Sequence, residues 1–195
     1  MPTDFAVYYL TQPFGIAMQF ALLVVPAVIL RVIAPIPFAK VGFRRVAFGQ
    51  LAVAVVTFLL SALSAYSIGS TKVELGHIKS TELASWFAAN SVYLFVLTYV
   101  FALAFASLVL VPFCVWLSCK SKASLANLLG LGIALSIGIA VLAVAFPSNE
   151  WGHENPFQLF LSTLSSLGIG VLVVCLAFGV GAHLPMRSAL PHNAT

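Results

Sequence analysis

The residues best equipped for chemistry lie in one short segment, Pro147 to Pro156, where Glu150, His153 and Glu154 stand close together. Imidazole and carboxylate can jointly hold a divalent cation. His77, with Glu74 nearby, lies in a second segment expected on the same side of the membrane and would add a ligand. This set implies a metal-dependent membrane enzyme. It matches no zinc-site spacing, however. A solvated loop with Trp151 at the interface accounts for the same residues.

A second constellation is made of hydroxyls. Thr57, Ser61, Ser64 and Ser67 fall near one stripe of a helix, and Gln19 is the strongly polar residue embedded in the first apolar run. Such a stripe can line a path for water or a small neutral solute. It can equally act as packing glue, because serine and threonine satisfy themselves on their own helix backbone.

Other chemistry is missing from the apolar runs. No Asp, Glu, Lys or Arg lies near the middle of one, and Arg31 is close enough to a helix end to snorkel to the headgroups. Proton relays, ion-coupled carriers and voltage sensors use charge within the membrane. The histidines, His77, His153, His183 and His192, stand in or near the segments between or after the runs, which disfavours haem held between spans. No GxSxG, HExxH or Walker pattern occurs. Cys114, Cys119 and Cys175 show no CxxC spacing and read as small buried apolar residues. No cofactor is expected.

The elements that would position these groups follow from composition. Of 195 residues, 62% are hydrophobic and 7% charged. Mean hydropathy is +1.09. A soluble domain carries about 25% charged residues, so the chain reads as an integral membrane protein. A cytosolic enzyme and a nucleic-acid-binding module are excluded. The net charge of +4 is spread in short clusters rather than in one basic block.

A helix crosses the hydrocarbon core with about 20 apolar residues. Five runs qualify: 14–34, 48–68, 91–117, 125–146 and 157–183. The expected fold is therefore an all-α bundle of five spans in a single membrane domain, residues 1–195. The first run lacks a basic leader and a small-residue cleavage site, so it reads as a retained span. Seven of the nine basic residues (Arg31, Lys40, Arg44, Arg45, Lys120, Lys122 and Arg187) fall on one side of this topology. All five acidic residues fall on the other, with Lys72 and Lys79. The positive-inside rule puts the N-terminus outside and the C-terminus in the cytoplasm. Lys40, Arg44 and Arg45 would anchor the first inner loop to anionic lipid. Pro35 and Pro37 predict that this loop is extended. In the longest outer segment, 70–90, Thr71 and Glu74 match a capping box and predict a short interfacial helix carrying Trp86.

Helices in lipid associate through small residues and interhelical hydrogen bonds. The fourth run has two such rows, Gly130, Ala134, Gly138 and Gly132, Ser136, Ala140. The fifth has Ser162, Ser166 and Gly170 in register. These two runs and the second, with its hydroxyl stripe, are expected to form the tight centre. Pro26 and Pro112 predict bends in the first and third spans.

Small-residue faces without buried charge or nucleophiles point first to a non-catalytic membrane subunit or regulator. Its partners would be the bilayer and another integral membrane protein, as in an accessory subunit or a toxin-immunity protein. The alternative is a homo-oligomeric channel or facilitator for a small neutral solute. The metal-dependent enzyme ranks third. Alanine- and leucine-rich spans with minimal loops suit a bacterial inner membrane.

Overall fold

The structure is a computed structural model that describes residues 12–146 and 155–186. Its described residues form helices and no strand. In chain order these are α1 (Pro13–Ile33), α2 (Pro35–Glu74), a 3-10 turn (Ser80–Glu82), α3 (Leu83–Phe105), a π turn (Ala106–Leu110) and α4 (Val111–Cys119). Then come α5 (Leu125–Ala145), α6 (Pro156–Thr163), a second π turn (Leu164–Gly168) and α7 (Ile169–Gly181). Among the described residues, four helical stretches are long and apolar enough to cross a membrane: Pro35–Glu74, Ser80–Cys119, Leu125–Ala145 and Pro156–Gly181. The first helix adds a shorter apolar stretch, Gln19–Ile33.

The segment expected to be an extended inner loop is helical from Pro35 onward. Proline suits a helix's first turn, because the amide it lacks would have no partner there. The helix breaks at Gly42, whose φ of 75° and ψ of 150° belong to a region open almost solely to glycine. A short stub, 35–41, thus meets the long span 43–74 at a fixed bend. That span is about 48 Å long at 1.5 Å per residue, so it tilts within a core of about 30 Å or projects beyond it.

The capping box expected at Thr71 and Glu74 is also corrected. Thr71 lies inside α2 and donates its hydroxyl to the Ser67 carbonyl. The helix ends here rather than starting. His77 N–H reaches the Lys72 carbonyl and Gly76 N–H the Val73 carbonyl, around a Gly76 with φ +71°. That is a Schellman closure with glycine at the left-handed position. Trp86 belongs to α3, which runs on unbroken into the third span. No separate interfacial helix forms there.

α2 is the hub, packing against α1, α3, α4 and α7. Its C-terminal half zips against α3. A Cβ on Gly69 would lie 2.8 Å from both Leu83 and Trp86. Beyond it Lys72 Nζ sits 5.3 Å over the Trp86 ring. Its N-terminal half crosses α7 at backbone contact. A Cβ on Gly181 would lie 2.5 Å from the Phe48 carbonyl oxygen, and one on Gly49 would lie 2.8 Å from the Phe178 ring. Glycine is required at both positions because the neighbours leave no room. Phe178 is fully buried, and its dispersion contacts hold this crossing where lipid supplies no hydrophobic drive.

α5 packs on α6, the second π turn and α7. Its N-terminus is closed by Ser124, which accepts from Asn127 N–H. The residues after α7 close it further: Leu125 N–H donates to Pro185 O at 2.8 Å and Ala126 N–H to Met186 O at 3.2 Å. Pro112 stands two residues past the first π turn, where Val111 N–H reaches Ala106 O five residues back. The wider turn suits a position whose proline cannot donate to Leu108. Cys114 and Cys175 are buried, as expected. Cys119 is exposed, because it ends α4 beside Lys120.

Candidate functional site

A groove of about 590 Å³ runs between α2, α3 and the stretch from the second π turn into α7. Thr57, Ser61 and Ser64 line it from α2, as does Thr98 from α3, and Ser166 and Gly170 face it from the third wall. Leu60, Leu94, Phe101 and Val174 fill much of the remainder. Two stripes separated by a hundred residues in the sequence therefore share one cleft. Ser67 is exposed near the C-terminal end of α2, and Ser162 is exposed on α6. Neither forms part of the groove wall. Gln19 is half-buried on α1, away from it.

Most of the groove's hydroxyl protons are already committed. Thr57 donates to Val53 O at 2.7 Å, Thr98 to Leu94 O at 2.7 Å and Ser166 to Ser162 O at 2.7 Å. Ser61 and Thr98 oxygens are 3.0 Å apart. A hydroxyl has one proton. With that of Thr98 given to Leu94, Ser61 is the donor across the helix pair. The groove thus presents apolar walls with a few hydroxyls and no charged side chain. It can seat an apolar or neutral molecule or a covering helix. It has no acid, base or activated nucleophile with which to cut a bond.

The two small-residue rows of α5 part company. Gly132, Ser136 and Ala140 are buried. A Cβ on Gly132 would meet Cys175 Sγ at 3.0 Å, and Ser136 donates to Gly168 O at 3.1 Å across the interface. Gly130, Ala134 and Gly138 are exposed, with open space beside both glycines. The expectation that both rows pack within the bundle is corrected for this one. Gly170 likewise has open space at its Cβ.

Of the residues of the metal reading, the structure describes His77 alone. Glu150, His153 and Glu154 lie outside the described residues. His77 is exposed, and no group of three His, Cys, Asp or Glu among the described residues is placed to hold an ion. The chain does carry Glu-x-Gly-His twice, at Glu74 to His77 and Glu150 to His153. In di-iron bundles Glu-x-x-His works because one helical turn aligns both side chains. Here α2 ends at Glu74 and the left-handed Gly76 intervenes, so the first copy is off the helix.

Lys40, Arg44 and Arg45 are exposed at the end of α2 opposite Glu74. Arg44 stacks 5.6 Å over Phe48, and Lys120 lies 4.2 Å over Trp116. Cations resting on aromatic rings suit a headgroup boundary.

One buried polar residue escapes the hydropathy argument. Gln50, only 5% exposed, donates from Nε2 to Ser107 Oγ at 3.0 Å, joining α2 to the first π turn. Read from apolar runs it stands near a helix end. The helix begins earlier than the run does, which moves Gln50 into the packed interior. No known protein family, curated protein or solved structure matches the chain.

Proposed function

We propose that the chain is a five-span protein of a bacterial inner membrane, N-terminus outside and C-terminus cytoplasmic, acting as a non-catalytic subunit or regulator of another integral membrane protein. The observation that carries this reading is the outward Gly130, Ala134, Gly138 row, with open space beside it on a helix whose other small-residue row is filled. Small residues at four-residue spacing let a second helix approach closely in lipid. The 21 residues of α1 amount to about 32 Å, enough for a fifth crossing. The test is gentle-detergent purification of the tagged chain from its native host, with mass spectrometry of what accompanies it. A stoichiometric foreign membrane protein, lost when Gly138→Leu is introduced, supports the reading. A chain that purifies alone, or keeps its partner in that variant, counts against it.

A second reading has its own observation: Thr57, Ser61, Ser64 and Ser166 share one groove. In a homo-oligomer that groove would become part of a path for a small neutral solute. Flux into proteoliposomes tests this. Flux that survives Ser61→Leu and Ser64→Leu removes the groove from consideration.

A further inference from the structure

We infer that a second cleft, between α1 and α2, holds one acyl chain of an anionic phospholipid, with Arg31 placed for its phosphate. The cleft has a volume of about 400 Å³ and is walled by Val24 and Ala27 of α1, by α2 from Phe43 to Ala54, and by Tyr99. Its α2 wall covers eleven helical steps, about 16 Å. That is close to half of a hydrocarbon core of about 30 Å, the depth of one leaflet.

Spread over that length, the volume corresponds to a section of about 25 Å², against about 80 Å² for a helix 10 Å across. That section suits a single hydrocarbon chain and is too narrow to enclose a whole helix. Gln50 is its most polar wall residue, and its amide already donates to Ser107. The remaining wall is apolar but for the Tyr99 phenol.

The charge lies at one end. Val24, Ala27 and Arg31 follow one another at helical spacing along one face of α1. Arg31 Cζ lies 5.4 Å over the ring of Phe43, which closes that end of the cleft. Lys40, Arg44 and Arg45 are exposed at the same end. Glu74 and Glu82, the acidic side chains among the described residues, lie at the other end of α2 or beyond it. A cation above a leaflet-deep apolar slot matches a phospholipid with net negative charge. Basic pockets between membrane helices recognise such headgroups.

The test is native mass spectrometry of the full chain after detergent exchange, loaded with phosphatidylglycerol or phosphatidylcholine. One retained phosphatidylglycerol per chain is expected, preferred about five-fold over phosphatidylcholine, the scale of one basic residue near the surface. Arg31→Gln removes that preference, while Arg45→Gln keeps it. Ala47→Phe, at an exposed wall position, fills the slot and loses the lipid. Free glycerol phosphate at millimolar concentration does not displace it. Equal retention of the two lipids overturns the inference. So does an Arg45→Gln loss equal to that of Arg31→Gln, or full retention in Ala47→Phe. Displacement by glycerol phosphate would reveal a phosphate site without a chain slot. Arg31 is exposed, so its variant reads out without disturbing the bundle, and no outcome depends on a protein partner.

Discussion

α5 carries two rows of small residues with the same four-residue spacing, and the bundle treats them oppositely. Gly132, Ser136 and Ala140 are buried against the last span, whereas Gly130, Ala134 and Gly138 face outward. Both rows permit close approach by a neighbouring helix. What separates them is a hydroxyl. Ser136 shares its one proton between its own Gly132 carbonyl at 2.7 Å and the Gly168 carbonyl at 3.1 Å. Gly168 ends a π turn, and a π turn disturbs the regular carbonyl pairing of a helix. The buried row therefore offers both a steric fit and a donor for a carbonyl on the neighbouring helix. The open row offers only the fit. In a membrane, small spacing says where a helix can be approached, and a polar partner fixes which face is used within the chain.

Leucine substitution gives the strongest way to break this contrast. Gly132→Leu would drive a side chain into Cys175 and Leu172, which a Cβ alone already reaches at 3.0 and 3.2 Å. The expected loss is about 3 kcal/mol, the upper range for overpacking, measured by reversible unfolding in mixed micelles. The same change at Gly138 meets open space and gains helix propensity. Its isolated chain should be as stable as the parent or better by up to about 1 kcal/mol. A loss at Gly138 comparable to that at Gly132 would show that the open row is packed after all. The smallest effect isolates the hydroxyl. Ser136→Ala should cost about 0.6 kcal/mol, the average for a hydrogen bond between membrane helices. If stability is unchanged, shape alone selects the row.

Much of the helical layout was readable from hydropathy. The expected run 125–146 corresponds to α5 at Leu125–Ala145, and 157–183 to Pro156–Gly181. Ser124 and Pro156 help define their starts, and caps and prolines act locally enough to be read in one dimension. Other features depended on three dimensions. The stub 35–41 is helical because a first turn tolerates proline, whereas a rule for residues before proline predicts extension. The Thr71 and Glu74 pattern is the same at either end of a helix until Gly76 closes the turn. On the candidate groove, Thr57, Ser61 and Ser64 were visible as a stripe. Their convergence with Ser166 depends on how α2 meets the last span. Thr98 and Ser107 gave no periodic signal. They matter because each bonds to a group on another helix.

The placement of the three cysteines has a practical consequence. Cys114 and Cys175 are sealed inside the bundle, and Cys119 alone is exposed, at the end of α4. A charged maleimide that does not cross a bilayer will therefore find one sulfur, and only from the compartment that α4 opens onto. The unmodified chain thus carries a built-in reporter of its own orientation: labelling of intact inverted vesicles but not of right-side-out ones would place that helix end in the cytoplasm, and the reverse would turn the whole topology over.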